Sequence, residues 1–125
     1  MFRRIRSGSG YEVFFMLLVT SYSARSAKPL PYSYIPDPVA LAEHADFLVV
    51  TALANAETHH IVNADVLSAL GPDGMLINIS RASNIDETAL LDALEQGRLG
   101  SAALDVFEDE PNLNPRFLAL SNVDR

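Results

Sequence analysis

Between Pro36 and Phe107 short apolar runs alternate with amphipathic stretches, and each change of period has residues that account for it. Phe47-Leu48-Val49-Val50 and Met75-Leu76-Ile77-Asn78-Ile79 are continuous runs of strand length, the pattern of strands covered on both faces. Ala102 to Phe107 is a third such run. Ahead of the first, Asp37 predicts an N-cap and Pro38 suits a first helical turn, with Val39, Leu41 and Ala42 as the stripe of a short helix ending near Ala45. Asn63 predicts the cap of a second helix, Ala64 to Leu70, which Gly71 and Pro72 stop. Asn84 with Glu87 three residues on resembles a capping box for a third helix running to about Gln96. Its stripe is Leu90, Ala93 and Leu94, its polar face is Asp92, Glu95 and Gln96, and Gly97 ends it. Asp86 and Glu87 also suit the positive end of its dipole.

Strand, helix, strand, helix, strand at intervals of roughly 28 residues is the repeat of right-handed βαβ units, which implies a parallel sheet with helices on its faces. Upstream the pattern weakens. Residues 1–30 read as an irregular segment with one apolar strand, Val13 to Ser21. Arg3, Arg4 and Arg6 before that run give the outline of a signal peptide, but the run is short and Arg25 sits poorly in a cleavage site, so a buried strand is the simpler reading. Gly8-Ser9-Gly10 would need a preceding strand and a glycine in place of Val13 to be a dinucleotide fingerprint, and reads better as a flexible tail.

With 125 residues, 49% of them hydrophobic, the chain can bury one core and no more. A formal net charge of −7 disfavours nucleic acid and anionic membrane surfaces as principal partners, so any bound anion needs a local cation. The absence of cysteine removes disulfides, thiolate nucleophiles and cysteine-type zinc sites and leaves the redox compartment open, with the cytoplasm as the default expectation.

In open parallel sheets, ligands bind beyond the carboxyl ends of the strands. The segments there are polar: Thr51 to Thr58, Ser80 to Asn84, and Asp105 leading to Glu108, Asp109 and Glu110. Arg81 is placed either to grip a carboxylate in a bidentate pair or to form an internal salt bridge with Glu108, Asp109 or Glu110. Asp105 interrupts an apolar run, where a carboxylate needs a hydrogen-bonding partner, either a ligand or a backbone amide. Asn78 reads as a side chain bonding neighbouring backbone. His44 suits a helix C-terminus, and His59-His60 precede a capped helix with no metal-ligand spacing, so each has a structural explanation. Arg25 and Ser26 follow the first strand without an acidic residue for a ribose 2′-hydroxyl; they suit a 2′-phosphate or a solvated basic loop.

Met75 to Arg81, Asp86-Glu87 with Ala89-Leu90, Gly97-Arg98-Leu99, and Leu104 to Pro111 occur together and in order. This combination resembles the D-isomer-specific 2-hydroxyacid dehydrogenases, and Glu57 to Asn63 and Leu120 to Val123 extend the likeness over about Tyr32 to Val123. Ser23 to Pro29 followed by a tyrosine pair looks most like the glyoxylate/hydroxypyruvate and hydroxyphenylpyruvate reductases that prefer NADPH. The resemblance implies an incomplete Rossmann-like parallel sheet with helices on both faces, with residues 31–125 as a partial NAD(P)-binding domain. It also implies NADPH as cofactor, with NADH as the alternative, and a small 2-oxoacid as substrate.

By position, the resemblance implies that Arg81 binds the 2-oxoacid and that Glu110 orients a catalytic histidine and raises its pKa. It likewise implies that Asp105 holds the nicotinamide carboxamide, Ile79 approaches the cofactor, Thr58 lines the pyrophosphate side, and Arg25 with Ser26 binds the adenosine 2′-phosphate. Hydride would come from the nicotinamide. Departures accompany the matches. The family's histidine, in a Pro-His pair after the Asn122-Val123 motif, is not reached by Arg125; the glycine-rich loop is absent or scrambled upstream of Tyr11; Leu53 and Ala82 replace a proline and a glycine. The expectation is a module inactive alone and prone to self-association or homodimer formation through surface that missing segments normally cover. A dinucleotide-responsive protein-binding module, as in the C-terminal binding protein corepressors of this fold, and a non-functional gene remnant are the alternatives.

Overall fold

The computed structural model describes the backbone of residues 2–8 and 15–125, and side chains from Ser21 onward. Among these described residues seven strands form one sheet in the order β3-β2-β1-β4-β5-β6-β7. They are β1 (Phe2–Gly8), β2 (Phe15–Tyr22), β3 (Ser33–Tyr34), β4 (Phe47–Val50), β5 (Met75–Asn78), β6 (Ser101–Leu104) and β7 (Val123–Asp124). Strands β4 to β7 pair in parallel, the first three of them as the βαβ repeat predicts. β1 differs: it runs antiparallel to both β2 and β4.

Among the described residues three α-helices join the strands: α1 (Pro38–Glu43), α2 (Ala64–Leu70) and α3 (Glu87–Glu95). Asp37 caps α1 by accepting from the Val39 amide, and Asn63 caps α2 by accepting from those of Asp65 and Val66. Gly71 and Gly97 take positive φ angles, 83° and 69°, at the ends of α2 and α3, a region where a side chain is strained. The cap expected at Asn84 is corrected. Asp86 caps α3, accepting from the Ala89 amide, while Asn84 is fully buried in a 3-10 turn, Ala82–Asn84. Its amide is needed inside, and Asp86 stands one residue before the helix.

α1 packs on α2 and α2 on α3, and Arg116, in a second 3-10 turn at Pro115–Ala119, reaches Asp92 and Glu95 of α3. These elements form one row, because right-handed connections that all step in the same direction across a sheet fall on the same side. Strand side chains divide accordingly. Leu48, Val50, Leu76, Asn78, Ala102 and Leu104 are buried under the row, while Phe47, Val49, Met75, Ile77, Ser101 and Ala103 on the other face are only half-buried. Among the described residues, the cover expected on both faces is present on one.

Three further elements depart from the sequence expectation. β6 ends at Leu104, so Asp105 lies beyond the strand and is exposed. β1 gives the segment before residue 30 a second strand, and Gly8-Ser9-Gly10 does have one before it. β2 begins at Phe15; Val13, Phe14, Ser9 and Gly10 lie outside the described residues. The short β3 and β7 were not expected, since a two-residue strand has no period of its own.

Candidate cofactor and substrate site

Parallel pairing of β4, β5 and β6 brings the loops after Val50, Asn78 and Leu104 to one edge. The middle loop is built on a buried amide network. Asn78 Oδ1 accepts from the Ser80 amide at 3.0 Å and its hydroxyl at 2.7 Å, and Asn78 Nδ2 donates to the Arg81 carbonyl at 3.1 Å. Asn84 Nδ2 donates to Ser80 Oγ at 3.0 Å and across to the Ala52 carbonyl, in the loop after β4, at 2.8 Å. Asn78 thus bonds its neighbouring loop as the sequence suggests. The roles of Ser80 and Asn84 were missed, the latter because its spacing to Glu87 imitates a cap.

This network fixes the backbone that carries Arg81. Its side chain is exposed, donates from Nη1 to the Ser80 carbonyl at 2.9 Å, and makes no ion pair among the described residues. The alternative salt bridges are not formed: Glu108 lies 3.5 Å from His60 Nε2, and Glu110 accepts from the Phe107 amide at 2.7 Å. Ile79, beside Arg81, is 58% exposed, an apolar side chain left open at the strand edge. Asp105 sits at the same edge, its amide donating to the Asn78 carbonyl at 3.1 Å and its carboxylate exposed. The expectation that burial forces a partner on that carboxylate is corrected by the earlier end of β6.

His59 and His60 stack with ring centroids 3.9 Å apart, and His60 takes a left-handed φ of 51°. His44 is the C-cap of α1. No group of three metal-binding side chains occurs among the described residues. Glu87 lies against Glu108, whose amide donates to it. Burial, followed by the charges of Glu108 and Asp109, outweighs that bond and pushes its carboxyl above the ordinary range.

A cavity of about 710 Å³ opens on the other side of the β4 loop. Leu41, Leu48, Val50 and Val66 supply apolar wall, and Ser23, Arg25, Lys28 and Thr58 supply polar rim. Tyr22 Oη both accepts from the Lys28 amide at 2.7 Å and donates to its carbonyl at 3.0 Å, closing the loop that carries Arg25. Tyr34 Oη donates to the Ala24 carbonyl and braces it from β3. Thr58 is held within its own turn, donating to the Leu53 carbonyl at 2.7 Å and accepting from the Asn55 amide at 2.9 Å. Arg25 forms an ion pair with Glu57, and Ser26 is exposed and outside the cavity lining.

The apolar wall and a rim of Arg25, Lys28 and Glu57 give chemistry compatible with an adenosine bearing a phosphate. The pyrophosphate side fits less well. A dinucleotide crossover needs β1 and β2 parallel with a helix N-terminus between them, and here they pair antiparallel.

Residues 4–124 match the family model for the NAD binding domain of D-isomer specific 2-hydroxyacid dehydrogenases. The chain belongs to that family. It is 49% identical over 104 residues to hydroxyphenylpyruvate reductase of Plectranthus scutellarioides and 47% identical over 104 residues to a glyoxylate/hydroxypyruvate reductase of Arabidopsis thaliana. Each alignment covers 82% of this chain and 33% of the relative, so the chain spans about a third of these proteins' length. The fold is similar to that of 2-hydroxyacid dehydrogenase from Ketogulonicigenium vulgare, with TM-score 0.79 and 61% identity over 83% of this chain and 33% of that one. It is also similar to an NADPH-dependent glyoxylate/hydroxypyruvate reductase of Sinorhizobium meliloti solved with NADP and malonate, with TM-score 0.82 and 46% identity over 85% and 34%. The sheet is thus a Rossmann-type dehydrogenase layer, and the family's cofactor is a nicotinamide dinucleotide. No helix among the described residues is long and apolar enough to cross a membrane.

Proposed function

We propose that this chain is a partial NAD(P)-binding module of an oxidoreductase that reduces 2-oxoacids of the glyoxylate or hydroxypyruvate type to D-2-hydroxyacids, with NADPH preferred. The observation that carries the reading is Arg81: an exposed guanidinium with no carboxylate partner among the described residues, held by the Asn78 network at the carboxyl edge of β5. A planar fork so placed suits the adjacent carboxylate and carbonyl of a 2-oxoacid.

The remaining residues take their places around that anchor. A bound nicotinamide would supply hydride, Ile79 would lie against it, and Asp105 would accept from its carboxamide. Thr58 would line the pyrophosphate side, and Arg25 with Ser26 would hold the adenosine 2′-phosphate. Glu110 would orient a histidine that protonates the carbonyl oxygen. Glu110 accepts from the Phe107 amide and pairs with no histidine among the described residues.

Titration calorimetry of the purified chain is expected to show weak binding of NADPH, tighter than that of NADH. Spectrophotometric assay with hydroxypyruvate or glyoxylate is expected to show negligible NADPH oxidation. Robust turnover by the 125 residues would overturn the inactivity, and absence of dinucleotide binding would overturn the module.

A further inference from the structure

We infer that Glu57 is a selectivity residue for the dinucleotide: its carboxylate occupies Arg25 when no phosphate is present and weakens the preference for a 2′-phosphorylated cofactor. The inference rests on the proposed reading of Arg25 and extends it to a residue on a different strand connection. Arg25 and Glu57 are 32 positions apart, one on the loop after β2 and the other on the loop after β4, and both line the same cavity. Their ion pair therefore spans the cavity rim.

Glu57 is held there by its turn. Asn55 Oδ1 accepts from the amides of Glu57 at 2.8 Å and Thr58 at 3.1 Å, and Thr58 Oγ1 ties the turn back to Leu53. Tyr22 and Tyr34 hold the opposite loop. Two braced backbones thus present opposite charges across an opening suited to an adenosine.

A 2′-phosphate entering beside Arg25 must displace the Glu57 carboxylate and then lie close to it. Both steps work against the doubly charged anion. A ribose 2′-hydroxyl meets the opposite situation, because a carboxylate readily accepts a hydrogen bond from it. The loop after β2 lacks an acidic residue for that bond, and Glu57 supplies one from the loop after β4. Both side chains are largely exposed, 74% for Arg25 and 67% for Glu57, so water and salt temper the effect.

The test is calorimetric binding of adenosine 2′,5′-bisphosphate and of 5′-AMP at low ionic strength to the wild-type chain, Glu57→Gln and Arg25→Gln. Glu57→Gln is expected to bind the bisphosphate about two- to five-fold more tightly, with 5′-AMP unchanged or weakened. Arg25→Gln is expected to lose most of the bisphosphate's advantage over 5′-AMP. Equal affinities of wild type and Glu57→Gln, with Arg25→Gln weakened, would overturn the role of Glu57 alone. Bisphosphate binding that Arg25→Gln leaves intact, or no binding by the wild type, would overturn the Arg25 reading together with the inference. Circular dichroism of each variant separates these outcomes from misfolding, and a misfolded Glu57→Gln would itself overturn a role confined to selectivity.

Discussion

Asn84 Nδ2 donates a 2.8 Å hydrogen bond to the carbonyl of Ala52, joining the loop beside the proposed substrate anchor to the loop beside the proposed cofactor cavity. Asn84 is fully buried, and the same nitrogen reaches Ser80 Oγ. Truncation leaves the Ala52 carbonyl and the Ser80 hydroxyl short of a donor in a place water enters poorly. Asn84→Ala is expected to lower stability by about 1–3 kcal/mol in urea unfolding. Ser80→Ala, which removes one member and leaves the Ala52 bond, is expected to cost less. A smaller loss for Asn84→Ala than for Ser80→Ala would show that the link between the loops does not matter.

Phe117 is completely buried and meets Phe107 edge to face, with ring centroids 5.2 Å apart. Phe107 belongs to the loop that carries Glu110, so this contact connects the core to the acidic end of the site. Phe117→Ala is expected to cost about 3–5 kcal/mol, and Phe117→Leu clearly less. Thermal unfolding of both variants measures the difference, and equal losses would place the effect elsewhere than in the cavity.

Gly100 and Gly97 make opposite demands. A Cβ on Gly100 would lie 2.6 Å from the Pro72 carbonyl oxygen and 2.8 Å from that of Gly74, backbone atoms with little room to move. Gly97 has open space, and its φ of 69° is the only obstacle. Gly100→Ala is therefore expected to destabilise by about 1–3 kcal/mol, and Gly97→Ala by about 1 kcal/mol. The reverse order in chemical denaturation would contradict the close approach at Gly100.

Arg116 joins α3 to the following 3-10 turn, its Nη2 2.6 Å from Asp92 and 2.8 Å from Glu95. The hydrogen bond from Arg116 holds the Glu95 carboxyl below its ordinary value of 4.5, and Arg116 itself is raised. A carboxyl depressed in the folded state contributes stability that is fully present above the ordinary value and disappears as pH falls through the folded one. The Tm of the wild type is expected to exceed that of Arg116→Gln at pH 7, with the gap closing below about pH 4.5. A gap independent of pH would mean that the arginine acts through packing alone.

Local patterns went far in this chain. Asp37 and Asn63 announced their helices, Gly71 and Gly97 their ends, and the runs at Phe47 and Met75 their strands, because caps, positive φ angles and apolar runs act over a few residues. The combination around Arg81, Asp105 and Glu110 was also enough to indicate the dehydrogenase family. Spacing could not tell Asn84 from Asp86 as a cap, since both stand near the helix start and only burial separates them. Nor could it tell whether Arg81 pairs with Glu108 to Glu110, which depends on where two separate loops come to rest.

What the chain by itself determined is therefore the order of helices and strands from α1 to β6, the parallel core from β4 to β6, the family, and the residues offered at the strand edge. Tertiary structure decided the direction of β1, the exposure of Asp105, the single row of helices, and the meeting of Arg25 with Glu57. Each is a relation between segments far apart in sequence. Sheet pairing and packing set such relations through contacts that no local period encodes.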